Sequence, residues 1–320
     1  SIVVRVWGAL WVVAGVGVGL LAPIEMYSFA LFSTGGPFYY EGFGFGSLMF
    51  ANIAIQIAGY YVIAALALVL GYGHLKIRRW ARTLAEALLW SWLVVGAPLV
   101  VLAFGILVTA KDLSLLGALV GAVAFAALYL IVPGLLLWFY RSRGVRLTFT
   151  THDGSAGWVE AMPMPALVLL CLSVFYVIVL HFPILLNGIY PLFGSFLTGL
   201  EGIVALTLSI ACLILIACGV AGLKRWAWWA SLLYWLLLAA SLVVALILSS
   251  WEEMLSLMVF APLEREALSG VPLEGYHLAA FFGLPLLLTA VVVLLSRRSF
   301  FADRATKPQA PELVLPPSSG

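Results

Sequence analysis

Few side chains in this sequence stand where they could do chemistry. Glu86 is the one acidic residue clearly inside an apolar run, and Arg82 precedes it by four residues. That spacing puts both on one helix face, so they read as an ion pair near the helix end. An ionisable group inside a membrane span is also the default pointer to a relay or a pathway, which makes Glu86 a transport-pathway candidate. Asn52 and Gln56 share a helix face at the same spacing and join it as pathway candidates, while interhelical hydrogen bonding is the plainer account of both. His74, His181 and His277 fall near the ends of apolar runs. A haem or pigment needs a histidine in an apolar pocket, and His181 and His277 are the cofactor-binding candidates. No two in-span histidines are placed for a transmembrane haem pair, so the cofactor stays unknown. Thr151, His152 and Asp153 form the one polar cluster in a linker, and with Gly154 they spell a turn rather than a triad.

Cys171, Cys212 and Cys218 all lie inside apolar runs and have no metal-ligand spacing. Cys212 and Cys218, six apart, point to different faces of a helix, and all three read as small buried hydrophobes. No phosphate loop, zinc-protease pattern, nucleophile elbow or dinucleotide fingerprint is present.

The elements that must position these residues follow from composition. The chain has 320 residues, 64% hydrophobic and 9% charged, with net charge +2. An ordinary soluble domain carries roughly 25% charged residues. Soluble enzymes, nucleic-acid binders, disulfide scaffolds and disordered chains are therefore excluded, and a polytopic membrane protein remains. Apolar runs fall at 4–22, 48–72, 81–109, 114–140, 164–186, 199–222, 226–249 and 276–296. Each is near the ~20 residues a spanning helix needs. The runs are continuous, with no period of two, so helices are expected rather than a barrel. Residues 1–21 read as the first span, not as a secretory leader. Pro98, Pro133 and Pro285 lie inside spans and should bend them.

Charge placement orients the bundle. With eight spans, 14 of the 16 Lys and Arg residues share one side, and only Lys111 and Arg265 fall on the other. Nine of the 14 acidic residues fall on that other side. The basic side is expected to be cytoplasmic, with both termini there, in the plasma (inner) membrane of a bacterium. Most of the tryptophans, among them Trp7, Trp80, Trp138, Trp158 and Trp226, sit near the basic interface, and Trp251 marks the other. Trp90 and Trp92 lie deeper and read as packing residues.

The chain also reads as duplicated. Pro23-Ile24 recurs as Pro183-Ile184 and Glu41-Gly42 as Glu201-Gly202, both 160 residues on. Leu75-Lys76 recurs as Leu223-Lys224, and Arg79-Trp80-Ala81 as Arg225-Trp226-Ala227. The expected architecture is all-α, with eight transmembrane helices in two parallel four-helix repeats, 1–146 and 164–298, related by a pseudo-twofold along the membrane normal. A linker, 147–163, joins them, and a Pro-rich tail, 299–320, follows. The basic turns 76–82 and 223–227 resemble turns of small bacterial four-helix membrane proteins, a resemblance of a few residues that implies no activity.

Between spans, the linker alternation Val145, Leu147, Phe149 suggests a short strand. The aromatic, Gly-rich loop 23–47 is expected to fold back on the helices or to meet a partner. Ser250 with Glu253 fits a capping box, predicting a short interfacial helix ended by Pro262. Gly15 with Gly19 and Gly117 with Gly121 have the four-residue spacing that permits close helix packing. The functional expectation is an accessory or scaffold subunit, without catalysis, packing against other integral membrane proteins in the lipid bilayer and binding no nucleic acid. A transporter or channel with a pathway between the repeats is the alternative. A pigment-binding, haem-binding or lipid-handling membrane protein comes third.

Overall fold

The computed structural model describes residues 2–33, 35–39, 43–109, 114–154, 157–260, 262–269 and 274–301. Among them, eight helices are long and apolar enough to cross a membrane. The chain is an all-α polytopic membrane protein. Its sequence-expected spans each meet one of these helices.

The first is α1 (Ile2–Phe32), which runs ten residues beyond the expected end and contains Pro23. Its partner α2 (Leu48–Leu75) starts at Ser47, whose side chain accepts from the Phe50 N–H at 3.2 Å. A seam of small residues lets these two helices touch. A Cβ on Gly8 would run into the Leu75 nitrogen and His74 Cβ, and one on Gly15 into Ala64 and Ala67. Gly19 is looser, 3.4 Å from Ala64. Close backbone approach of this kind gains dispersion contacts that lipid cannot replace.

Next come α3 (Arg79–Thr109) and α4 (Leu115–Ala126), the latter capped by Ser114 on the Gly117 N–H. A π-turn, Ala127–Ile131, leads into α5 (Val132–Arg141), with Pro133 in its first turn. Just ahead of Pro133, where a bend is expected, the helix changes type. Gly117 and Gly121 are half-buried on α4.

The linker differs from expectation. Residues Arg143–His152 form a helix, α6, not a strand. Val145 and Phe149 are four apart, so a helix puts both on one face. Phe149 is fully buried there against Val4 and Ile77, while Leu147 points outward. A strand would have aligned all three and exposed or buried them together. A single turn, α7 (Trp158–Ala161), completes the linker.

The second half follows: α8 (Met164–Val179), the short α9 (His181–Leu185), a hairpin of β1 (Tyr190–Leu192) and β2 (Ser195–Leu197), α10 (Gly199–Ala221) and α11 (Arg225–Leu248). The hairpin pairs Tyr190 with Leu197 and Leu192 with Ser195. Ser241 of α11 pins it, donating to the Pro191 carbonyl at 2.8 Å and accepting from the Phe193 N–H at 3.1 Å. Then α12 (Trp251–Ser256) starts at the expected capping box, with Ser250 and Glu253 bonded reciprocally. It ends at Ser256, before Pro262, which instead opens α13 (Pro262–Ser269). Proline lacks an N–H that the first helical position does not need, so it suits that place. Finally α14 (Gly275–Phe301) crosses back. It extends past the expected domain end at 298, and the rest of the Pro-rich tail lies outside the described residues.

The main core is built by α8, α10, α11 and α14 around Trp235, Leu169, Leu172, Leu213 and Val293, with Ala87 of α3 joining it. Helix α3 therefore belongs sterically to both halves. Cys212 and Cys218 face outward rather than into this core, and Cys171 is half-buried. Lipid accommodates a thiol as readily as a packed interior does.

Two turns share one geometry. After α2 the Ile77 N–H bonds the His74 carbonyl and the Arg78 N–H the Gly73 carbonyl. After α10 the Leu223 N–H bonds the Val220 carbonyl and the Lys224 N–H the Gly219 carbonyl. Both are Schellman stops, and each places a non-glycine residue in the left-handed region, Ile77 at φ 51° and Leu223 at φ 48°. Corresponding residues lie 146 apart throughout. The match Leu75-Lys76 with Leu223-Lys224, 148 apart, thus gives way to Ile77-Arg78 with Leu223-Lys224. In both turns the helix before it offers a glycine, Gly73 or Gly219, onto which the indole of Trp80 or Trp226 lies.

Candidate functional site

The richest polar arrangement gathers at the basic end of the first four spans. Its centre is His74, in the last turn of α2. Near an interface by sequence, it is fully buried in the fold, under Phe149 of α6 with ring centroids 5.6 Å apart. Its Nδ1 lies 2.7 Å from the Leu70 carbonyl, four residues back. Its Nε2 lies 2.8 Å from the Tyr140 hydroxyl, and that oxygen accepts from Trp7 Nε1 at 2.8 Å. A carbonyl can only accept, so Nδ1 carries the proton and, in the neutral ring, Nε2 is bare. The Tyr140 O–H must then donate to His74. The chain of donation runs from the Trp7 N–H to Tyr140, to His74, and ends on the Leu70 carbonyl. It ties α1, α5 and α2 together, with its polar groups satisfied at each step. Trp11 stands edge-on to Trp7 at 6.2 Å, and its Nε1 has no partner among the described residues.

Beside it lies a charged layer. Glu86 is buried and pairs with Arg82 at 3.3 Å, the expected i,i+4 contact. Asp153, at the end of α6, is also buried. One oxygen meets Arg78 at 3.5 Å and the other accepts from the Arg79 N–H at 3.2 Å. That N–H opens α3, so Asp153 caps from 74 residues away a helix whose neighbouring sequence holds no cap. Glu160 of α7 bonds the Gly157 N–H at 2.6 Å. The linker thus lies across the basic turn and is fastened there by Phe149 and Asp153.

The sequence candidates are scattered. Asn52 is exposed on α2, and Gln56 accepts from the Tyr60 O–H of its own helix at 3.3 Å, not from another helix. Both lie toward the opposite end of α2 from His74, so Glu86 and the two amides do not converge. His181 is exposed, with Nδ1 2.7 Å from the Val177 carbonyl, and the Glu274 N–H donates to His277 Nδ1 at 3.2 Å. His181 is thus at the surface and His277 half-buried, each with Nδ1 beside a backbone group. Thr151 and His152 face out with Nδ1 2.9 Å from the Thr148 carbonyl, while Asp153 turns inward, so the linker cluster is split. Trp90 and Trp92 are partly exposed, and Trp92 stacks on Tyr129 at 5.5 Å. Among the described residues no three His, Cys, Asp or Glu side chains are grouped to hold a metal ion.

The acidic end has its own tie between halves. The Gly46 N–H donates to the Leu185 carbonyl at 3.2 Å and Ser47 bridges to Val259, while within the second half Asn187 Nδ2 donates to the Leu257 carbonyl at 3.4 Å. The aromatic loop folds back as expected in part: Phe43 sits 5.0 Å from Phe29 and 5.9 Å from Phe50, while Phe38 and Tyr39 are exposed.

Sequence reasoning missed Trp7, Tyr140 and the capping role of Asp153. The only available signal was that Trp7, His74 and Tyr140 each lie at the basic end of an apolar run, and nothing in their spacing pairs 74 with 140. Comparison with family models, with curated proteins and with solved structures finds no match in any of the three.

Proposed function

We propose that this protein is a scaffold subunit of a membrane complex, with no catalytic chemistry of its own. The observation behind this is uneven coverage. In the fourth span only 6% of the most apolar stretch is buried within the protein, and in the first 17%, against 39–44% in the last four spans. Lipid can cover such apolar faces, and so can helices of other integral membrane proteins, for which the half-buried Gly117 and Gly121 of α4 permit close approach. In this reading the two four-helix halves are parallel repeats, the basic end faces the cytoplasm of a bacterium, and the membrane is the plasma membrane.

The test is extraction from the native membrane into mild detergent or nanodiscs, followed by native mass measurement. A defined assembly containing a second integral membrane protein is expected. A stable, lone monomer would overturn the scaffold reading. Flux through the purified chain in liposomes, lost on Glu86→Gln, would replace it with a transporter.

A further inference from the structure

We infer that the basic end of α5 and α6 is a docking site for the headgroup of an anionic phospholipid. Helix α6 is amphipathic. Val145 and Phe149 face the bundle, while Arg143, Arg146 and Leu147 face out. Arg141, in the last turn of α5, is exposed as well, and Trp138 lies three residues before it on the same helical face. Of the nearby carboxylates, Asp153 meets Arg78 and the α3 terminus, Glu86 meets Arg82 and attracts Arg141 and Arg146 at longer range, and Glu160 holds the Gly157 N–H with one oxygen. Among the described residues Arg141, Arg143 and Arg146 form no ion pair. Three neighbouring guanidinium groups, each with a planar fork of donors, are suited to the oxygens of a phosphodiester.

The apolar neighbours point to lipid as the source of that phosphate. Trp138 is 75% exposed, Trp158 65% and Leu147 52%. In water these side chains would be a liability. At the headgroup level an indole finds both an apolar layer and hydrogen-bond partners, and a helix lying in that plane buries its apolar side chains among acyl chains. Trp138 and Arg141 end the fourth span, and Arg143, Arg146, Leu147 and Trp158 follow before the fifth begins at Met164, so an interface at the span ends would bring lipid phosphates to them. An acidic soluble protein would match the arginines and leave the indoles unexplained. This inference does not depend on the scaffold reading.

The test uses the full chain in mild detergent, with thermal unfolding followed by intrinsic fluorescence. Phosphatidylglycerol and phosphatidylcholine of the same acyl chains are titrated in parallel. Phosphatidylglycerol is expected to raise the midpoint and phosphatidylcholine not to. The triple variant Arg141→Gln/Arg143→Gln/Arg146→Gln should need about tenfold more phosphatidylglycerol for the half-maximal shift, since each basic residue near a membrane surface contributes measurably to anionic lipid binding. Arg297→Gln/Arg298→Gln, which removes two exposed arginines from the same end of α14, should stay within roughly twofold of the parent. If the triple variant does not fold, Arg143→Gln/Arg146→Gln should show an intermediate loss. Anionic lipid retained through purification, measured by mass spectrometry, should fall in the same order. No response of the parent, equal weakening in both sets of variants, or the same shift from glycerol phosphate at the same concentration would each overturn the inference.

Discussion

The two halves of the molecule are held together differently. In the last four spans 39–44% of the most apolar stretch is buried, and a core of Leu, Val, Tyr and Trp side chains fills the space between helices. In the first four the figures are 17, 22, 28 and 6%. There the helices rely on backbone contact along the Gly8 and Gly15 seam, and on polar ties at the basic end. The second half relies mainly on volume filling, whereas the first has only small clusters around Phe149 and Tyr140 and leans more on its polar ties. Side-chain deletion should therefore hurt the second half most, and hydrogen-bond deletion the first.

The largest effect is expected for Trp235→Ala. Trp235 is fully buried and packs on Tyr176 with ring centroids 4.8 Å apart. Loss of about 3–5 kcal/mol should follow, measured by unfolding in mixed micelles with rising dodecyl sulfate. A loss below about 1 kcal/mol would mean that the second core is not close-packed and the contrast fails.

Tyr140→Phe comes next. It leaves the Trp7 N–H and His74 Nε2 without their shared partner inside the protein, at a cost of about 1–3 kcal/mol. Phe keeps the ring contacts, so the same unfolding assay isolates the hydroxyl. An unchanged midpoint would remove the network from the list of ties that hold the first half.

Asp153→Ala removes both an ion pair and a helix cap. Because Arg78 is half-exposed, the ion pair is screened, and the cap makes up most of an expected loss of about 1–2 kcal/mol. Faster protease cleavage within 143–162 should accompany it, because the linker would detach before the spans unfold. Cleavage at the parent rate would count against the linker being fastened by Asp153.

The paired turns allow a finer comparison. Ile77→Gly and Leu223→Gly each relieve a left-handed residue of roughly 1 kcal/mol. Ile77 is buried against Val4 and Phe149, whereas Leu223 is only partly covered. Leu223→Gly should be neutral or stabilising, and Ile77→Gly the worse by about 1–2 kcal/mol. Equal effects would show that the turns are alike in environment as well as in backbone. The smallest change is expected for Val123→Ala, on the exposed face of α4, within about 0.5 kcal/mol for the isolated chain. A larger loss in the native membrane than in detergent would locate a partner on that face.

Much of the fold was legible because bilayer thickness and helical rise fix how long an apolar run must be. The eight runs, the capping box at Ser250 and the Arg82–Glu86 pair were all local patterns. The linker helix was not legible because Val145, Leu147 and Phe149 satisfy period two, and only the burial of Phe149 with partial cover of Val145, against an exposed Leu147, decides for the helix. Of the candidate residues, Glu86 could be paired from spacing alone. The His74 network could not, since its members lie 66 and 133 residues apart in sequence.

By itself the sequence determined a membrane protein with eight spanning helices, because only 9% of its residues are charged and those cluster between the apolar runs. Tertiary structure alone decided which helices share a core, that Asp153 caps α3, and that His74 meets Tyr140 beneath Phe149. The reason is physical. Crossing a bilayer is dictated by the transfer free energy of each segment on its own, whereas hydrogen bonds between distant residues exist only once packing has brought their atoms within about 3 Å.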